Sequence, residues 1–353
     1  MVFTWSENPY ADMWNHLMFL SKKNNARNLL SGELPSGRNV FYKETEVLDR
    51  KANQVSFGIS QSFEYFRAAD SVTIATRPLL YFYGMLSLAK SLIVANKNDF
   101  YLEDMKYHGF TQRPIDTELE TYAKDPRAWK MEREYAVIHE GVSQHLVEVI
   151  GGFRFPDKAI ITFKDILAVC PEIAQMYEFF YNEPSKTIYL YRFDTISKDP
   201  YKIEICPNET DEKEIFKRIP ELAKDFDLNP HVLHSQARIL TSRSLMKFPD
   251  YLGIYSPPVG GRYIVGGLNF KAGSNYFSRY VAPPVADYIA LYILSMCVRY
   301  KQDFWGSVIQ GEKSGVLGLI ELYMSVVKRR FPNAILNSLF GFEFSYGTPA
   351  RLE

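Results

Sequence analysis

The sequence predicts an α+β protein in which helix predominates, with helical N-terminal and C-terminal parts packed together and a small antiparallel β-containing region between them. Three observations carry this. Long apolar stretches with helical spacing lie near both ends, at 77–93 and 284–330. Short segments rich in β-branched and aromatic residues cluster in the middle, at "KTIYLYRFD" and "YKIEICPN". No repeat of fixed period runs through the chain, so a solenoid or propeller is not expected.

Taken in order, "ADMWNHLMFLSKKNNARNLL" presents Trp14, Leu17 and Leu20 at helical spacing before a polar break, and "QSFEYFRAADS" leads into a helix over 77–93. "KYHGFTQRPIDTELETYAKDPRAW" has the glycine, proline and charge of a long surface connection, and "EREYAVIHEGVSQHLVEVI" reads as a further helix. From about 151 the character changes. "GGFRFPDKAIITFKDILAVCPEI" reads as a short strand, then a helix that begins after Thr162 and stops near Pro171. "KTIYLYRFD" and "YKIEICPN", separated by "TISKDP", read as an antiparallel hairpin, and "GIYSPPVGGRYIVGGLN" as more strand bounded by glycines. Beyond Pro284 two strong helices follow, the second ended by "FPN". The expected organisation is a mostly helical region over 1–150, an α+β region over 151–280, and a helical region over 281–353 that joins the first in one compact unit.

With 46% hydrophobic and 15% aromatic residues the chain can build a dry core, which excludes a disordered protein. Its 41 basic and 41 acidic residues cancel, which argues against a surface devoted to nucleic acid. Cys170, Cys206 and Cys297 are sparse and unpaired in spacing, as reduced thiols in a cytoplasm would be. The first residues lack the charged and apolar regions of a signal peptide. The 77–93 segment holds about 15 apolar or small residues against the roughly 20 a spanning helix needs, so no membrane is expected.

At about 100° per residue, the segment from Pro78 to Ile93 sorts into a broad apolar face and a narrow strip carrying Tyr83, Gly84, Ser87, Lys90 and Ser91. Pro78 suits a first turn capped by Thr76, and Gly84 leaves room for close approach. The helix after Pro284 repeats the theme: Tyr288, Tyr292, Ser295 and Arg299 share one face. A cation inside an apolar helix is costly unless an anion or carbonyl compensates it. Lys90 and Arg299 therefore either lie in their helices' last turns, favouring the dipole and reaching solvent, or face a shared polar cleft for an anionic ligand.

Several stretches together resemble the YaaC-like family, a bacterial family of similar length. They are "RPLLYFYGMLSLAKSLI", "KYHGF", "FKDILAVCPEI" and "YIALYILSMCVRYKQDFW", with "IHEGVSQHL" a looser match. Gly84, Lys90, His108, Gly109, Arg299 and Trp305 occupy the matching positions. After "HGF" the family continues with a more basic run, whereas this chain has "TQRPID". The resemblance implies no particular activity, and no catalytic residues carry over.

Motifs of chemistry are sparse. There is no Walker-type phosphate loop, and the glycines of "VGGRYIVGG" fall at strand ends. The nucleophile elbow of α/β-hydrolases is missing. His231 and His234, and likewise His139 and His145, lack a partner cluster of zinc-ligand spacing, so neither a metal nor a cofactor is expected. Arg133 and His139 in "REYAVIH" resemble the arginine–histidine pair of HEPN-type ribonucleases, although Glu134 beside the arginine would repel phosphate. His108 before a glycine reads as a turn histidine bonded to its neighbouring backbone, or as a ligand-binding group. "VVKRRF" and "SKKNNARNLL" read as solvated basic faces.

The leading expectation is a non-catalytic accessory or interaction protein of a bacterial cytoplasm. It would bind a protein partner or an anionic ligand, or associate with itself, with Tyr83, Ser87, Lys90, His108, Tyr292, Ser295 and Arg299 as ligand-binding candidates. The alternatives are a metal-independent ribonuclease of stress or antiviral defence using Arg133 and His139, and a nucleotide sensor using Lys90, His108 and Arg299.

Overall fold

The computed structural model describes residues 2–194, 202–205, 212–230, 238–243, 248–257, 261–312 and 315–347. They form an α+β structure that is mainly helical, divided into two compact units: 1–163 together with 284–353, and 164–283. The first unit is thus discontinuous in sequence.

Its N-terminal portion opens with β1 (Val2–Trp5), α1 (Pro9–Phe19) and α2 (Lys23–Ser31). Two long helices follow, α3 (Thr45–Ser71) and α4 (Arg77–Asn96), which pack along much of their length. After them come β2 (Phe110–Thr111), α5 (Thr117–Lys124), β3 (Tyr135–Ile138), α6 (Val142–Gly151) and β4 (Ile160–Thr162). Strand β3 pairs antiparallel with both β2 and β4. Two expectations are corrected here. The segment 132–150 is not one helix: Tyr135–Ile138 is fully buried between two strands, and Gly141 at φ +146° breaks the chain before α6 begins. The 106–129 connection is not wholly irregular, since it holds β2 and α5, the latter capped by the Asp116 side chain accepting from the Leu119 N–H.

The second unit holds α7 (Phe163–Ala168) at its entry, then α8 (Ala174–Tyr181), β5 (Thr187–Asp194), β6 (Lys202–Ile205), α9 (Glu212–Arg218) and α10 (Leu222–Asp225). Next come β7 (Phe226–Pro230), β8 (Arg238–Ser242), β9 (Leu252–Tyr255), β10 (Tyr263–Gly266), β11 (Leu268–Ala272) and β12 (Asn275–Arg279). β5 and β6 pair antiparallel, as the alternation of their residues predicts. They are central to a six-stranded antiparallel sheet of order β7-β8-β6-β5-β10-β9. Ile188, Leu190, Ile203, Ile205, Leu240 and Ile264 from its strands bury one face with Ile215 and Ile219. β11 and β12 form a hairpin.

The chain returns to the first unit through α11 (Pro283–Tyr300), α12 (Gln302–Ile309), α13 (Leu317–Phe340) and β13 (Phe344–Gly347), which pairs parallel with β1. The sequence predicts a stop at "FPN", yet α13 runs through Pro332 for two further turns. A proline inside a helix costs about 3 kcal/mol. Phe331, Ile335, Leu336 and Leu339 are all fully buried, so burial on both sides of the proline outweighs that cost.

α4 also corrects the membrane argument. It reaches Asn96, so its 20 residues are long enough and apolar enough to cross a bilayer. Length does not decide the matter; 72% of its most apolar window is buried inside the molecule, as in the core helix of a globular protein.

Candidate functional site

The strip of α4 that carries polar residues is where α3 lies. A Cβ on Gly84 would stand 2.6 Å from the Phe66 ring, and Ser62 Oγ donates to the Gly84 carbonyl at 2.8 Å. Gly84 therefore permits a close crossing of α3 and α4. Ser91 Oγ donates to the Ser87 carbonyl at 3.0 Å, and Ser87 Oγ donates to Gln61 Oε1 at 2.9 Å. Thr76 precedes α4 but its side chain makes no capping bond.

Beside this crossing a cavity of about 180 Å³ opens, lined by Phe57, Gln61, Tyr65, Tyr83, Ser87 and Lys90 among others. Tyr65 and Tyr83 stack at 5.8 Å with planes 27° apart. The Lys90 ammonium is half-buried and, among the described residues, has neither an ion-pair partner nor a hydrogen bond. Burial pushes its pKa below the ordinary lysine value. Lys90 is not in its helix's last turn, because α4 continues to Asn96. The carbonyls at that end are taken by other side chains. Lys51 Nζ donates to Val94 and Lys97 at 3.0 and 2.7 Å, and Arg38 Nη2 to Ala95 at 2.5 Å. Those two cations fill the role at the helix terminus that the sequence offered to Lys90.

The tyrosine–serine stripe of α11 faces the opposite, apolar side of α4. Phe82 stacks on Tyr288 at 5.6 Å and meets Tyr292 edge-on at 5.7 Å. Ser295 Oγ donates to the Tyr292 carbonyl at 2.7 Å, so its hydroxyl is spent within its own helix. The two stripes do not merge.

Their cationic ends nevertheless share a neighbour. Arg299, in the last turn of α11, is half-buried, with Nη2 on Ser295 Oγ at 3.3 Å and no carboxylate partner among the described residues. His108 lies in the loop before β2, its ring 5.1 Å from that of Tyr292 and 6.3 Å from that of Phe82. Its Nδ1 accepts the Phe110 N–H at 3.2 Å, which places the proton of the neutral ring on Nε2. Burial lowers its pKa most, and the charges of Arg299 and Lys90 lower it further. The charges of Arg299 and Lys90 thus both act on the His108 imidazole and disfavour its protonated form. Gly109, at φ +85°, holds the loop: a Cβ there would strike Ser143 Oγ at 2.2 Å, and Ser143 Oγ instead donates to the Gly109 carbonyl at 3.0 Å.

Arg133 and His139 are not assembled as a pair. The extended strand β3 separates them, and its four residues alone span about 13 Å at about 3.3 Å each. Arg133 lies over the Tyr122 ring at 4.8 Å and pairs with Glu118 at 3.6 Å. His139 Nε2 meets Thr111 Oγ1 at 3.0 Å, and its Nδ1 stands 3.7 Å from Asp157. The single helix read over 132–150, which would have carried both side chains, does not form there.

Two buried polar networks escape the sequence. Glu134, fully buried, accepts from Lys301 Nζ at 2.6 Å and from the Tyr122 hydroxyl at 2.8 Å. Asp287, also fully buried, accepts from Arg330 Nε at 2.8 Å and from the Tyr323 hydroxyl at 2.7 Å. "VVKRRF" is therefore not a solvated basic face, since Arg330 is 3% exposed. Asp287 and Arg330 were legible only as charges inside apolar runs. His231, His234 and Cys206 lie outside the described residues; among those described, no cluster of His, Cys, Asp or Glu could hold a metal.

Comparison with curated proteins finds no match, nor does comparison with solved structures. The model of the family described as YaaC-like protein matches residues 18–339, which takes in α3, α4, the His108 loop and α11. Over that span, nearly its whole length, the chain belongs to the YaaC-like family.

Proposed function

We propose that this chain is a non-catalytic binding protein for a small anionic ligand, seated at the α3–α4 cavity and the electropositive ground beside it. The observation that carries the reading is a pair of half-buried cations, Lys90 at the cavity and Arg299 on α11, neither paired to a carboxylate among the described residues and both lowering the pKa of His108. Half-buried cations without counter-charge are costly, and a bound anion removes that cost. The Lys90 ammonium and the Arg299 guanidinium would make charge-assisted hydrogen bonds, and His108 would add a proton-dependent one. Among anions, the stacked Tyr65–Tyr83 pair and the Gln61 amide favour one that carries a planar ring, which includes nucleotides. The sparse cysteines, of which Cys170 and Cys297 are buried and not joined in a disulfide, favour work in a cytoplasm.

A thermal-shift screen with phosphate, pyrophosphate, aromatic carboxylates and mononucleotides tests this. At least one class is expected to stabilise the protein, and Lys90→Met or Arg299→Met to weaken it about tenfold or more. An anion reverses the field at His108 and raises its pKa. Binding therefore takes up a proton, and affinity should strengthen as pH falls towards the lowered pKa of the free protein's His108. If no anion stabilises the protein, the reading is wrong.

A second reading, association with a protein partner or a second copy, is favoured by the aromatic N-terminal strand. Phe3 and Trp5 are 53% and 64% exposed and stack edge-on at 4.9 Å. Sedimentation velocity of the wild type against Phe3→Ser/Trp5→Ser checks it; an unchanged monomer in both would remove the self-association form.

A further inference from the structure

A separate cavity of about 340 Å³ lies at the junction of the end of α3, the start of α4 and the middle of α13, lined by Asp70, Arg77, Tyr81, Glu321, Ser325 and Lys328 among others. Its size falls at the lower end of small-molecule sites, which run from roughly 300 to 1,000 Å³. Unlike the Lys90 neighbourhood it carries both signs of charge, two carboxylates and two cations, and these cancel.

The groups are unevenly committed. The Asp70 carboxylate is held in place by the Tyr81 hydroxyl at 2.6 Å and the Tyr10 hydroxyl at 3.3 Å. Burial raises the pKa of both tyrosines, so both remain donors across the ordinary pH range. Lys328 Nζ stands 3.4 Å from Asp70 and 4.8 Å from the centre of the Tyr10 ring. A primary ammonium between a carboxylate and an aromatic face is a recognised mode of amine binding. Here a side chain of the protein occupies that seat. The hold is loose, because both partners are about one-third exposed and such pairs contribute roughly 0–1 kcal/mol. Arg77 spends Nε and Nη2 on the Ala69 and Val72 carbonyls, while Nη1 has no partner among the described residues. Glu321, exposed on α13, has none either among the described residues.

We infer that this cavity binds a free α-amino acid as its zwitterion. The ligand's ammonium takes the seat between Asp70 and the Tyr10 ring, displacing Lys328, and the freed Lys328 ammonium and Arg77 Nη1 receive its carboxylate. A ligand with only a positive charge would strand two cations in the cavity, and one with only a negative charge would face Asp70 and Glu321. A zwitterion satisfies both sets. The inference is independent of the anionic site.

The test is isothermal titration of the full-length protein with each of the common amino acids, followed by the amide and the N-acetyl derivative of any that binds. At least one amino acid should bind, and both derivatives should lose about tenfold or more. Asp70→Asn should abolish binding to a similar degree, while Lys90→Met should leave it unchanged. Lys328→Met keeps the inference falsifiable should Asp70→Asn fold poorly. It vacates the ammonium seat and removes a carboxylate partner, so it should reverse the preference, and the amide should bind at least as well as the free acid. Failure of every amino acid to bind overturns the inference. So does an amide equal to its amino acid in the wild type, or an unchanged preference in Lys328→Met.

Discussion

Lys51 shows how much a single side chain can do that its place in the sequence does not announce. It sits in the second turn of α3 among charged neighbours and reads as a surface lysine, yet it is fully buried. Its ammonium donates to the carbonyls of Val94, Lys97 and Phe100 and lies under the Tyr42 and Tyr101 rings at 4.8 and 4.7 Å. Burial lowers its pKa to about 8, with the charge of Asp99 opposing the shift. Between that value and the 10.5 of the free side chain, the unfolded chain binds more protons than the folded one. Stability contributed by this group should therefore rise with pH across that window. Chemical denaturation at pH 8 and pH 10 should show the rise in wild type and its loss in Lys51→Met. The Asp287–Arg330 pair is the other residue-scale commitment. Removing one partner leaves a buried charge uncompensated, so Arg330→Met should cost about 3–5 kcal/mol, measured by urea denaturation. Neither lysine nor pair was legible, because burial of a charge depends on partners distant in sequence: 43 residues separate Asp287 from Arg330. His108 was legible in part, since a histidine before glycine at a turn implies the backbone bond that its Nδ1 makes with Phe110.

Elements were read most truly where pattern and burial agree. The α4 and α11 helices, the β5–β6 pairing and the break between α1 and α2 follow from periodicity. Reading failed where local propensity loses to packing. "EYAVI" holds the strand-favouring Tyr135, Val137 and Ile138 but runs into a helical pattern, and it is extended because strands on either side bury it. Pro332 has a strong stop signal, and α13 overrides it. The polar strip of α4 was legible as a strip, but which neighbour it meets was not. Helical phase says which residues share a face and nothing about which helix covers it. The close α3–α4 crossing at Gly84 belongs to this scale. Gly84→Ala places a methyl against the Phe66 ring, which is 1% exposed and has little room to move. It should destabilise by about 1–3 kcal/mol. It should also weaken anion binding by shifting Tyr83 against Tyr65, a loss that a calorimetric titration would register.

At the scale of the molecule, one compact unit is assembled from both ends of the chain, and the segment 164–283 is inserted between its halves. Alternating composition hints at such an arrangement. Strand β4, which ends just before the first boundary at 163/164, pairs with β3 within the first unit. Discontinuity has a consequence for the site: Lys90 and His108 come from the first stretch, and Arg299 comes from the second, 191 residues after His108 in the chain. An electropositive neighbourhood built this way forms only when the two halves are joined, so ligand binding should stabilise that union. The central claim is that an anion sits among these three residues, and anomalous diffraction from crystals grown with selenate or tungstate tests it most directly. The account predicts a peak within hydrogen-bonding reach of Lys90 Nζ and the Arg299 guanidinium in wild type, lost in Lys90→Met. A map with no peak there, or one that survives the substitution unchanged, would contradict it.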